Sequence, residues 1–264
     1  MISAKKLAAI KSSSFSSKYA LDQALVKVAL SQPAYDIYAT IINPTTHTIY
    51  RYLTEFVMNV MQEQSTEPKE KIRILDWGAG KGYVAYFLRN NGFDATCYET
   101  DSFEHRLIWE EFKLPVKTSP GDILPFKNNY FDAVVGFGVL EHVPYEYDAL
   151  KEVNRVLKDD GLFFCFNLPN QYGYLHHVAH ARGIMYHDRL YTRKETQFLL
   201  KRSGFITIGK PWYRQILPKN SIKYKNFRAI ESLDLFLTAH TPIKYLATSL
   251  EFVARKQYAY TSKH

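Results

Sequence analysis

Apolar residues recur at helical spacing through the first quarter of the chain and then give way to short extended runs. Within residues 18–64, Leu21, Leu25, Val28 and Ala29 share one helical face, and Tyr52, Phe56, Val57, Val60 and Met61 share another. Pro33 and the Asn43-Pro44 pair punctuate this stretch, and the polar run from Gln64 to Glu70 reads as a linker. Beyond it, residues 72–77 form a brief apolar run that ends in glycines, as a buried parallel strand does. The pattern then predicts helices over 83–91, 102–112 and 145–158, with strands over 94–99 and 131–137 between them. Asp159-Asp160-Gly161 reads as a turn before a strand over 162–166. Thr192 and Glu195 have capping-box spacing, Gly204 closes the helix they open, and two last strands lie near 205–208 and 250–254. Strands alternating with helices predict an α/β fold built on a doubly wound, mostly parallel sheet. The expected division is a helical extension or lid over residues 1–68 and one α/β domain over 69–264.

Composition narrows the class. Of 264 residues, 46% are hydrophobic and 23% charged, which fits a chain that buries a core and excludes a disordered one. No run approaches the roughly 18 apolar residues of a membrane-spanning helix. The start, Met1 to Lys6, lacks the apolar core of a signal peptide. Cys97 and Cys165 each sit in an apolar run and read as buried thiols in a reducing compartment, so a cytoplasmic protein is expected.

The net charge of +8 is uneven: residues 189–228 carry +10, with Glu195 their one acid, and the rest of the chain carries −2. An anionic partner, either nucleic acid or a membrane surface at which the protein is peripheral, is therefore expected to meet that segment. Phe198, Trp212 and Tyr213 interleave with its cations, as nucleic-acid stacking or an ordinary core would require. Leu233, Leu235, Phe236 and Leu237 follow it and suit an interfacial helix.

The join between the first strand and the next helix reads Asp76-Trp77-Gly78-Ala79-Gly80-Lys81-Gly82. Glycines there permit positive φ and close approach of a ligand to the backbone. The spacing is G-x-G-x-G, whereas a dinucleotide fingerprint is G-x-G-x-x-G. Asp76, just ahead of the turn, would repel a pyrophosphate but favour a ligand bearing an ammonium and a sulfonium. Glu99, closing the second strand, can accept from two ribose hydroxyls, and Asp122 from an exocyclic adenine amine.

These residues, together with residues 121–126, 131–134 and 139–143 in the same order, resemble the class I S-adenosylmethionine-dependent methyltransferases. Within that class the chain is similar to the type 11 and quinone-pathway O-methyltransferases. The resemblance covers about residues 70–210 and implies a seven-stranded Rossmann-like sheet with S-adenosyl-L-methionine as the methyl donor. It implies that Asp76, Trp77, Gly78, Ala79 and Gly80 line the methionine moiety, that Glu99 and Thr100 hold the ribose, and that Asp122 and Ile123 hold the adenine. Phe137, Gly138 and Leu140 would floor the gap between donor and acceptor.

An oxygen acceptor needs a base, and His142 is the candidate, in Glu141-His142-Val143-Pro144; the alternative is that Glu141 and His142 cap the next helix. Some quinone-pathway relatives hold a metal with this Glu-His pair and a further carboxylate. Here the position three before Glu141 is Gly138, so no metal is expected. His176, His177, His180 and His187 cluster without a cysteine or an HExxH pattern, and read as acceptor contacts or surface residues. Gly138-Val139-Leu140 stands where nucleobase-amine methyltransferases carry D/N-P-P-Y. The expected function is O-methylation of a small-molecule, glycan or lipid-linked acceptor. A nucleic-acid methyltransferase docking through residues 189–228 and a non-catalytic donor-binding scaffold are the alternatives.

Overall fold

A computed structural model describes residues 1–16, 22–31, 44–100, 106–120, 123–183, 187, 189–217 and 227–257. Strands β1 (Arg73–Trp77), β2 (Asp94–Glu99), β3 (Val116–Thr118), β4 (Phe131–Phe137) and β5 (Leu157–Pro169) pair in parallel. Three further strands, β6 (Phe205–Thr207), β7 (Trp212–Arg214) and β8 (Ser249–Lys256), extend the sheet. The order is β3-β2-β1-β4-β5-β8-β6, with β8 antiparallel to β5 and with β7 on β8. The sheet reverses order beside β1, where β2 lies on one side and β4 on the other. Ligands of open α/β sheets bind at such a point.

Among the described residues eight strands stand where seven were expected, because one edge strand is broken in two. β6 and β7 pair with opposite ends of β8. Between them Gly209 has φ +78°, and Pro211 has no N–H to offer a ladder. A second departure lies in β5, where Asp159–Gly161 do not turn the chain. Phe131 pairs with Leu157 and Ala133 with Leu162, so the expected turn is an irregularity inside one long strand, with Asp160 at φ +61°.

Helices cover both faces. α1 (Ala4–Ser16), α2 (Gln23–Leu30), α3 (Pro44–Gln64), α4 (Tyr83–Asn90) and α5 (Arg106–Glu111) precede β3. α6 (Glu146–Val156), α7 (Tyr174–Ala181), α8 (Arg193–Arg202) and α9 (Phe227–His240) follow β4. α3 buries Tyr52, Phe56, Val57, Val60 and Met61, the stripe read from the sequence, in a core with α4 and one face of the sheet. Leu150, Val153 and Val156 of α6 and Leu200 of α8 seal the other face against Phe163 and Phe205. Cys97 and Cys165 are free and buried. The capping box at Thr192 and Glu195 forms as its spacing predicts. No described helix is long and apolar enough to cross a membrane.

Candidate active site

The glycine turn leaves β1 with Gly78 at φ +65°, Gly80 at φ +49° and Gly82 at φ +83°. A Cβ on Gly78 would lie 2.5 Å from Val139, so glycine is required there by packing as well as by conformation. Asp76 is buried, and its Oδ2 accepts the Ala85 N–H at 3.0 Å in the first turn of α4. Burial pushes its carboxyl up to about 7, opposed by that bond and reinforced by Glu99. Asp76 thus fixes α4 against β1 and lies behind the turn, lining neither of the cavities described below.

A cavity of about 220 Å³ opens beside this turn, lined by Trp77, Gly78, Glu99, Thr100, Gly138 and Val139 among others. The Glu99 Oε2 accepts the Gly80 N–H at 2.7 Å, and its Oε1 accepts from the Thr100 N–H at 2.9 Å. A carboxylate held at the mouth of a glycine cradle suits the hydroxyls of a nucleoside, so the donor fits these residues. Ile123 is exposed, Leu140 is buried in the core, and Ala79 and Gly80 shape the turn without lining the cavity. Asp122 lies outside the described residues.

A larger cavity of about 540 Å³ lies on the other side of Gly138 and His142, which line both. One wall is aromatic: Tyr50 of α3 stacks on Phe137 with ring centroids 4.2 Å apart and planes at 18°. Burial holds the Tyr50 phenol well above its ordinary range, so it stays neutral. Asn167, Gln215 and Ser249 supply polar groups, α7 contributes Leu175 and His176, and Arg182 follows at its C-cap.

Glu141 and His142 occupy a short 3-10 turn, Leu140–His142, and do not cap α6, whose N-cap is Tyr145 with no side-chain bond. Glu141 is 2% exposed and neither carboxylate oxygen has a hydrogen-bond partner. Burial pushes it up to about 7. His187 Nδ1 stands 3.7 Å from Glu141 Oε1, beyond hydrogen-bond reach. The His187 ring packs edge-on to His176 at 5.2 Å and lies 5.8 Å from His142. His176 is itself anchored, its Nε2 donating to the Thr248 carbonyl at 2.9 Å, and burial keeps it below its ordinary pKa. The four clustered histidines therefore divide: His176 and His187 line the cavity, while His177 and His180 are exposed.

The sequence offered His187 as an acceptor contact and Glu141 as a helix cap, but not the meeting of Glu141, His142 and His187 or the stacking of Tyr50 on Phe137. Only the side-by-side placement of Glu141 with His142 carried a local signal.

The basic segment is not one solvated face. Arg189 donates to the Val143 and Pro144 carbonyls at 2.8 and 2.6 Å and pairs with Glu146, fastening the loop after His142. Arg214 is 1% exposed and pairs with Glu251. Lys194, Lys201, Arg202 and Lys210 are exposed, and residues 218–226 lie outside the described residues.

A methyltransferase-domain family model matches residues 75–165. An uncharacterised protein of Methanocaldococcus jannaschii is 31% identical over 220 residues, covering 72% of this chain and 78% of that protein. The ubiquinone/menaquinone biosynthesis C-methyltransferase of Neisseria gonorrhoeae is 28% identical over 147 residues, 52% of this chain and 56% of that protein. The malonyl-acyl-carrier-protein O-methyltransferase of Geobacter sulfurreducens is 27% identical over 204 residues, 71% of this chain and 72% of that protein.

Proposed function

This chain belongs to the class I S-adenosylmethionine-dependent methyltransferases, and from that premise we propose that it O-methylates a small-molecule, glycan or lipid-linked acceptor seated in the larger cavity. The observation that carries this reading is the junction: Gly138 and His142 line both cavities, so a nucleophile in one faces a donor in the other across them.

The donor supplies a methyl group already activated by its sulfonium, so positioning is the main task of the protein. Glu99 receives the ribose hydroxyls, Thr100 lies beside it, and Gly78 lets the methionine moiety approach the backbone. Trp77 completes that wall, Ala79 and Gly80 shape the turn behind it, and Asp122 with Ile123 receives the adenine. Asp76 adds a negative charge behind the turn that favours the cationic donor. Phe137 and Tyr50 form a flat apolar plate for the acceptor, with Leu140 supporting the floor from the core. His142 is the group that makes the acceptor hydroxyl nucleophilic. The helices before residue 69 act as a lid, since Thr46, Ile49 and Tyr50 of α3 line the same cavity.

The test is a panel of hydroxyl-bearing acceptors with isotopically labelled donor, the product methyl being located by NMR. An O-methyl product, with His142→Ala slowing turnover about a hundredfold at unchanged donor affinity, is expected. A methyl on carbon or nitrogen overturns the reading.

A further inference from the structure

We infer that Glu141, His142 and His187 together bind a divalent transition-metal cation such as Mn²⁺ or Zn²⁺, and that they prefer it to Mg²⁺. This rests on the acceptor reading above and specifies how His142 does its work.

The ligand atoms of the three residues lie within 4.8 Å of one another. A cation bound at about 2.0–2.2 Å to each would draw them to roughly 3 Å apart. His142 is exposed and His187 half-buried, and both line the larger cavity, the side from which a cation reaches them.

The strongest sign is Glu141 itself. Its side chain is 1% exposed, and both oxygens lack a hydrogen-bond donor. An isolated carboxylate is costly to bury and is retained where a proton or a cation neutralises it. The two neighbouring imidazoles, with Glu141 in one cluster, supply the means for the second.

The donor set decides the ion. A Glu-His pair completed by another carboxylate offers mostly oxygen, which suits Mg²⁺. In this chain Gly138 cannot complete the pair, and His187 arrives instead from beyond α7. Two imidazoles and one carboxylate favour Mn²⁺, Fe²⁺ or Zn²⁺ over a hard cation that keeps its waters. His187 is steadied for this by the edge of His176, which the Thr248 carbonyl fixes.

Three protein ligands leave coordination positions open towards the cavity. An acceptor hydroxyl taken there would be acidified by the cation and lose its proton to cavity water. Its oxygen then attacks the methyl carbon as the carbon–sulfur bond breaks. The products are a methyl ether, the neutral thioether and one proton. His142 acts as a ligand in this scheme.

Calorimetry of the full-length protein with MnCl₂, ZnCl₂ and MgCl₂, backed by the Mn²⁺ paramagnetic resonance signal, tests it without any turnover. One Mn²⁺ per chain is expected, bound at least about tenfold more tightly than Mg²⁺. Glu141→Gln and His187→Ala should each weaken Mn²⁺ binding by about tenfold or more while keeping the melting transition. His177→Ala with His180→Ala, on the exposed face of the cluster, should leave it unchanged. Absence of saturable Mn²⁺ and Zn²⁺ binding, indifference to Glu141→Gln and His187→Ala, or equal affinity for Mg²⁺ would each overturn the site. Binding of the demethylated donor, measured in parallel, reports on the methyltransferase reading alone, so the two can fail separately.

Discussion

Glu99 and Gly80 are joined across the ends of β2 and β1, the carboxylate Oε2 accepting the backbone N–H at 2.7 Å. The bond pins the glycine turn to the one acid that faces the donor cavity from β2. Replacing Glu99 by Ala removes both the ribose acceptor and this tie. Charge-assisted hydrogen bonds are worth about 1.5–3 kcal/mol, so affinity for the demethylated donor should fall roughly tenfold to a hundredfold. Glu99→Gln keeps an acceptor oxygen and should lose less. Calorimetry checks this, and equal affinity in all three proteins would remove Glu99 from the donor site.

Gly78 faces Val139 across the junction of the two cavities. A Cβ at position 78 would lie 2.5 Å from a Val139 methyl, on a backbone held at φ +65°. Gly78→Ala should therefore lower both stability and donor affinity, with left-handed backbone alone costing about 1–2 kcal/mol. Adding Val139→Ala relieves the clash and leaves the backbone cost, so rescue should be partial. Full rescue of the melting temperature would show that the conformation at Gly78 matters little.

What could be read from the sequence was what is local. The glycine turn, Glu99 at a strand end, the stripe on α3 and the capping box at Thr192 are each specified within a few residues. His187 comes to Glu141 only because α7 folds back over the carboxyl ends of the strands, and no spacing encodes that. Tyr50 meets Phe137 for the same reason, through tertiary packing of α3. Charge counted along a chain is blind to burial: Arg214 is buried in an ion pair, and Arg189, partly buried, is bonded to the loop after His142. The bulge at Asp160 uses turn residues inside a strand, where local chemistry reads as an end.

Burial of Glu141 makes stability depend on pH. Its carboxyl is raised from 4.5 to about 7 in the folded chain. A raised acid favours folding while protonated, so its contribution is complete below about 4.5 and is lost as pH rises through about 7. Glu141→Gln carries no charge at either end of that window. With chelator present, its melting temperature should match the parent near pH 4.5 and exceed it by pH 8. Asp76, raised to about 7 by the same cause, titrates in both proteins and cancels. A gap that stays flat with pH would mean that Glu141 ionises without penalty.

Arg214 on β7 and Glu251 on β8 form an ion pair 1% and 0% exposed. Trp212 Nε1 donates to the other Glu251 oxygen at 2.8 Å, and Arg214 reaches the Tyr52 hydroxyl at 3.3 Å, which itself donates to Glu231 at 3.0 Å. Arg214 also donates to Asn167, on the wall of the larger cavity. The network thus ties α3 and α9 to the broken edge strand and to the acceptor wall. Removing one partner strands a buried charge, so Arg214→Met or Glu251→Leu should each cost about 3–5 kcal/mol in urea unfolding. The double variant Arg214→Met with Glu251→Leu removes both members of the pair, leaving Glu231 and Lys11 nearby, and should recover part of that loss, because desolvation offsets much of what such a pair gains. If the double variant is instead as unstable as the two single losses added together, the pair is not coupled and its stabilising role is independent of charge.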